Sequence, residues 1–189
     1  IFTYMQKLAY TPLERISISR PVTRQSWVCE QCRGRQVLDL GCFDETALFK
    51  RGTGIWLHEE IAKVARHVIG VDNSPKVPAD GISTSPNSKI YPGNVLSLPK
   101  AALREITIDL IVAGELVEHL SDTTALFREL KMQFPGREFI ATTPNATSLS
   151  NIALAVAARE SCHPDHLQLY SYKTLNTLCI RAGFEAWTI

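Results

Sequence analysis

The sequence predicts an α/β fold, a doubly wound and mostly parallel sheet with helices on both faces. From Gln36 onward, short β-branched and leucine-rich runs recur, each closed by Gly, Asp or Pro. Between them lie stretches with apolar residues at helical spacing. Strands separated by helices pair in parallel through right-handed crossovers, which places helices on both faces of one sheet.

Residues 1–35 form a polar, basic-leaning lead-in, expected as an N-terminal helix packed on a single domain over residues 36–189. Gln36–Leu40 is a buried strand ending at Gly41. Ile55, Leu57, Ile61, Val64 and Ala65 mark a helix, with Gly52 and Gly54 ahead of it. His67–Asp72 is the second strand; Asn73–Lys76 begins a short helix at best, interrupted by Pro78 and Gly81. Lys89–Tyr91 is a brief third strand before the Pro92-Gly93 turn, and Ile106–Ala113 is the fourth. A helix capped by Asp122 follows, then a fifth strand over Glu138–Thr143. Ser148–Arg159 reads as helical, Ser171 caps a helix stopped by Gly183, and Phe184–Ile189 starts a sixth strand.

A chain of 189 residues has room for one such domain and little more. Twenty basic residues against nineteen acidic ones leave a net charge of +1, which argues against a broad nucleic-acid or membrane surface. The longest apolar stretch, Ile152–Ala158, is far too short to span a bilayer, and no charged-then-apolar leader opens the chain. The chain opens on Ile1 rather than Met, so its natural start is expected upstream. Five cysteines without a disulfide rhythm suit a reduced, cytoplasmic setting. Cys29 and Cys32 form one CxxC with no second pair to complete a zinc site, and are expected to be ordinary thiols.

Ligands of doubly wound sheets sit at the carboxyl ends of the strands, near the switch in strand order. Those ends carry Asp39, Gly41, Cys42 and Phe43; Asp72 and Asn73; Asn94 and Val95; and Gly114 and Glu115. An acidic residue closing the second strand suits a pair of ribose hydroxyls, and Gly41 lets backbone approach a ligand. The Asn94 amide suits an adenine edge, beside apolar Val95 and Leu96.

Val37–Cys42, Val68–Asp72, Gly93–Pro99 and Asp109–Leu120 stand in the order and spacing of class I S-adenosylmethionine-dependent methyltransferases. The chain resembles that family from about residue 36 to 189. The resemblance implies a sheet of the seven-stranded type, with the last strand, partner of Phe184–Ile189, missing here. It also implies that Asp39 and Gly41 border the methionine end and that Asp72 holds the ribose. Asn94 and Val95 would contact adenine, with Gly114 and Glu115 flanking the sulfonium. One departure is that Phe43 and Glu45 stand where the family's loop usually has glycines, so Phe43 is expected to narrow the cofactor's approach or stack on it. Trp56-Leu57-His58, after this long loop, resembles a subfamily feature; taken alone, His58 and His67 read as surface or helix-packing residues rather than ligands.

A second cluster is Glu115-x-x-Glu118-His119, whose spacing places two carboxylates and an imidazole on one helical face, with His163-Pro-Asp-His166 downstream. This pairing resembles the metal-dependent methyltransferases of small-RNA 3′ ends and the ubiquinone-pathway O-methyltransferases. The resemblance implies Mg²⁺ or Mn²⁺ held by Glu115, Glu118, His119 and His166; a metal-free alternative makes His119 or His166 a general base. The expected reaction is methyl transfer from S-adenosylmethionine to an oxygen of a small-molecule or glycan-like acceptor, with His119, His166 and Glu115 as catalytic residues. The rivals are RNA ribose methylation, a non-catalytic cofactor-binding protein, and a nicotinamide dehydrogenase. The last is disfavoured because Gly41-x-Phe43-x-x-Thr46 breaks the GxGxxG pattern. The acceptor pocket is expected from residues 148–172 and the lead-in.

Overall fold

The computed structural model describes Ile16, Leu103 and residues 22–44, 46–99 and 107–189. Most of the expected lead-in before Val22, with Glu45 and Ile106, lies outside them. The described chain runs α1 (Arg24–Cys32), β1 (Gln36–Leu40), α2 (Ala47–Lys50), α3 (Leu57–Val64), β2 (His67–Asp72), β3 (Ile82–Ser85) and β4 (Ser88–Pro92). It continues with β5 (Leu110–Gly114), a 3₁₀ turn (Val117–His119), α4 (Thr123–Gln133), β6 (Glu138–Thr142), α5 (Leu149–Val156) and α6 (Tyr172–Ala182). The six strands form one sheet in the order β3-β4-β2-β1-β5-β6, parallel except for β3 on β4.

Alternation along β1 decides what each face receives. Val37 faces the layer of α1 and α3, where Val28, Cys32, Ile61, Ala62 and Ala65 pack with Val68, Leu110 and Val112. Leu38 and Leu40 face the layer of α4 and α6, against Leu126, Phe127, Leu130 and Leu178. Asp122 and Ser171 cap as the sequence implies: Asp122 accepts from Ala125 N–H, and Ser171 with Thr174 completes a capping box; Ser148 also caps, accepting from Asn151 N–H. Gly183, at φ 82°, ends α6.

Two expectations are corrected. Phe184–Ile189 is not a strand: Phe184 packs edge-on against Phe127, and the Trp187 indole N–H donates to Asn176 Oδ1 at 2.9 Å. These contacts hold the segment on the helical layer, away from a strand ladder. The additional strand is β3, a half-exposed Ile-Ser-Thr-Ser run with a register irregularity between Ser83 and Ser85. Gly81 before it and Pro86 after it read as loop, and only pairing with β4 makes it a strand.

Leu126 is fully buried between α4 and the sheet. Leu126→Ala is expected to lose about 2–5 kcal/mol in urea unfolding through lost burial and the cavity left behind.

Candidate cofactor and acceptor site

β1 lies between β2 and β5, so the chain switches direction across the sheet there and opens a crevice at the strands' carboxyl ends. Gly41 occupies the left-handed region at φ 64°, and a Cβ there would lie 2.7 Å from Leu116 Cδ1. No other residue fits that turn without strain. Asp72, 6% exposed, accepts from Phe43 N–H through Oδ2 and from Ser74 N–H through Oδ1, both at 2.8 Å. Burial pushes its carboxyl up, and the two N–H groups pull it back. Each oxygen keeps a second lone pair, so the carboxylate retains capacity for a pair of ligand hydroxyls.

The side chain of Phe43 does not sit where the sequence suggests. Its ring is 4% exposed and packs with Ala47, Trp56, Val77 and Ile90, meeting Trp56 edge-on at 5.9 Å. It is therefore unavailable for stacking on a ligand. Asp39 is also withdrawn from the crevice. It alternates onto the α3 face with Val37, where Oδ2 accepts from His58 Nδ1–H at 2.8 Å, with both residues at most 2% exposed. His58 Nε2 then accepts from Ser88 Oγ at 2.9 Å and lies 3.3 Å from Thr84 Oγ1. A carboxylate at Asp39 dictates this tautomer. The Cys42 thiol lies near this pair, pushed well up by burial. Its sulfur and the two polar side chains are spaced for an ion, yet both His58 nitrogens already have partners.

Asn73 and Asn94 are exposed, and Asn94 Oδ1 accepts from Leu96 N–H at 2.9 Å in a local turn. Val95 faces the core at 7% exposure, so its side chain supports this wall from behind. At the end of β5, a Cβ on Gly114 would lie 2.7 Å from Leu57 Cδ2. Glu115 follows in the left-handed region at φ 55° and pairs with Arg24 of α1 at 3.0 Å. Glu115, Glu118 and His119 therefore do not share a helical face: Val117–His119 is one 3₁₀ turn, and Glu115 turns to α1.

The structure does bring Glu118, His119 and His166 together, with ligand-capable atoms within 4.8 Å of one another. The loop carrying His163 and His166 docks on the 3₁₀ turn, where Leu167 and Gln168 N–H donate to the Glu118 carbonyl at 2.8 and 3.1 Å. The His119 and His166 rings meet edge-on at 4.7 Å, with His163 beside them. His119 Nδ1 lies 3.2 Å from the Asp165 carbonyl, which places the proton on Nδ1 and leaves Nε2 an acceptor. Glu118 is 1% exposed, and among the described residues neither carboxylate oxygen has a hydrogen-bond partner. His166 Nε2 stands 4.0 Å away, and Thr143 Oγ1 faces the carboxylate short of hydrogen-bond geometry. Burial pushes the Glu118 carboxyl up.

Residues 17–189 match the Methyltransferase domain family. The chain belongs to that family. Its mostly parallel sheet between helical layers agrees with a class I S-adenosylmethionine-dependent methyltransferase. Among curated relatives, a protein of Mycolicibacterium smegmatis named "Probable S-adenosylmethionine-dependent methyltransferase" is 31% identical over 159 residues, covering 84% of this chain and 55% of the relative. One from Mycobacterium tuberculosis is 30% identical over 155 residues, covering 82% and 50%. The methyltransferase chain thus spans about half the length of these relatives. The YcgJ protein of Bacillus subtilis shares the fold, with a TM-score of 0.56 at 17% identity over 84% of this chain and 66% of that one. No helix among the described residues is long and apolar enough to cross a membrane.

Sequence reasoning missed Arg24 and the partners of His58, and it noted Trp56 only as part of a subfamily segment, without its bond to the Cys42 carbonyl. For His58 a signal was present: it shares an apolar helical stripe with Ile61, Ala62 and Ala65, and a histidine on such a stripe needs a buried partner.

Asp72→Ala is expected to weaken S-adenosylmethionine binding roughly tenfold to over a hundredfold by calorimetry, since charge-assisted hydrogen bonds are lost. Glu118 yields a stability prediction whose sign follows from its raised carboxyl. The folded chain holds that proton more tightly than the unfolded chain. The stabilisation is full below the ordinary value of 4.5 and is lost as pH rises through the raised folded value. In chelator-treated protein, Glu118→Gln should therefore unfold at higher denaturant than wild type at neutral pH. That advantage should vanish below about pH 4.

Proposed function

We propose that this methyltransferase chain transfers a methyl group from S-adenosylmethionine to an oxygen of a small-molecule or glycan-like acceptor, with His119 as the base. The observation that carries this is the proton placement on His119, whose Nδ1 faces the Asp165 carbonyl and whose Nε2 is left to accept. The acceptor oxygen attacks the sulfonium methyl in line, and a new C–O bond forms as the C–S bond breaks. The electron pair stays on sulfur as S-adenosylhomocysteine, and the hydroxyl proton passes to His119 Nε2. Most of the protein's contribution is positioning the two reactants and excluding water. His166, between His119 and Glu118, orients the base side of the site; Glu115, paired with Arg24, borders the cofactor side.

A second reading is favoured by one observation, the two unpartnered oxygens of buried Glu118. With His119 and His166 they fit a divalent cation, and one carboxylate with two imidazoles suits Mn²⁺ better than Mg²⁺. Such an ion supplies a lower pKa for an acceptor hydroxyl. Glu115, paired with Arg24, is not part of that set. The near-neutral charge of +1 stands against RNA ribose methylation in either reading.

Incubation with cell extract and methyl-labelled cofactor, followed by mass spectrometry of the products, identifies the acceptor. With it in hand, His119→Asn is expected to lower kcat by about 10²–10⁴-fold while turnover survives chelator. Loss of turnover in chelator, restored by Mn²⁺, would establish the cation reading instead.

A further inference from the structure

Trp56, the N-cap of α3, and the first two residues of that helix touch several of the strands that carry the cofactor crevice. The Trp56 indole N–H donates to the Cys42 carbonyl at 2.7 Å, and the ring is 3% exposed. Leu57 fills the space that a side chain on Gly114 would need, at the end of β5. His58 binds Asp39 of β1 on one side and Ser88 of β4 on the other. It passes over Gly70 of β2, where a Cβ would lie 3.0 Å from His58 Cε1 and 2.7 Å from Cys42 Sγ. One helical turn thus ties β1, β2 and β5 towards the ends that face the crevice, and reaches across to the start of β4.

These ties matter because the turn after β1 carries a bulky phenylalanine whose backbone N–H helps to aim Asp72. Its path is held by three hydrogen bonds: Gly41 N–H to Val71 O, Phe43 N–H to Asp72, and the Trp56 indole to Cys42 O. The third turns the Cys42 carbonyl towards the buried indole. Without it that oxygen is left unpaired, at a cost relieved by rotating the peptide towards the crevice. That rotation also moves Phe43 N–H, one of the two donors that aim Asp72. Removing His58 leaves Asp39 a buried carboxylate without its donor, directly beneath the same turn.

We propose that Trp56 and His58 are positioning residues for S-adenosylmethionine: they hold the Leu40–Phe43 turn and Asp72 in binding geometry without touching the cofactor. The proposal rests on the reading that the adenosyl cofactor lies against the ends of β1 and β2.

The test is calorimetric titration with S-adenosylhomocysteine, well below the melting temperature of each variant. Trp56→Phe keeps a buried ring and loses only the N–H; its affinity should fall about five- to twentyfold. His58→Leu should weaken binding at least about tenfold. His58→Asn places an amide donor near the Nδ1 position and should stay within about threefold of wild type. That rescue separates positioning from bulk packing. Folded Trp56→Phe and His58→Leu proteins that bind as wild type does, whatever their melting temperatures, would overturn the proposal. If the wild-type chain itself does not bind, the cofactor reading fails and takes this inference with it.

Discussion

The hydrogen bond between Asp39 and His58 constrains much of what surrounds it. Two ionisable side chains lie in the interior of the sheet layer, 2.8 Å apart and at most 2% exposed. Each is tolerable only because the other is present. The pair requires glycine at position 70, a hydroxyl at Ser88 and the entry of α3 directly over the end of β1. It also anchors Trp56 and Leu57, whose contacts with Cys42 O and with the space over Gly114 follow from that entry.

Above this support the crevice is shaped mainly by backbone. Gly41 brings the chain close to the switch point, and the N–H groups of Phe43 and Ser74 aim Asp72. The phenylalanine in the loop is accommodated because Trp56, Val77 and Ile90 form a small satellite core beneath it. A bulky residue in this turn is compatible with an open crevice when its ring is buried on the far side.

The Glu118–His119 side is built differently, by docking one loop on another. Residues 163–168 hang on the Glu118 carbonyl and bring two imidazoles to His119, leaving a buried carboxylate unpaired. A carboxylate in that condition destabilises the empty fold and gains on meeting a cation or a donor.

Much of the fold was legible locally. Buried strands at residues 36–40 and 67–72, the caps at Asp122 and Ser171, and the stop at Gly183 follow from side-chain chemistry within a few positions. So did Asp72 and Gly41 as the crevice pair, because a strand end and a left-handed turn are local facts. Encounters between distant segments were not legible. Ile82–Ser85 is a strand only because β4 pairs with it, and Phe184–Ile189 is not one because Phe127 and Asn176 hold it elsewhere. Spacing placed Glu115 with Glu118 and His119, but a left-handed residue and Arg24 from α1 drew it away. The direction of Asp39 was set by strand alternation, yet its partner arrived from α3, nineteen residues on. Periodicity, turns and caps are decided by neighbours along the chain. Which side chains meet in the crevice is decided by crossover paths and packing, and that information exists only once the sheet has closed over its two layers.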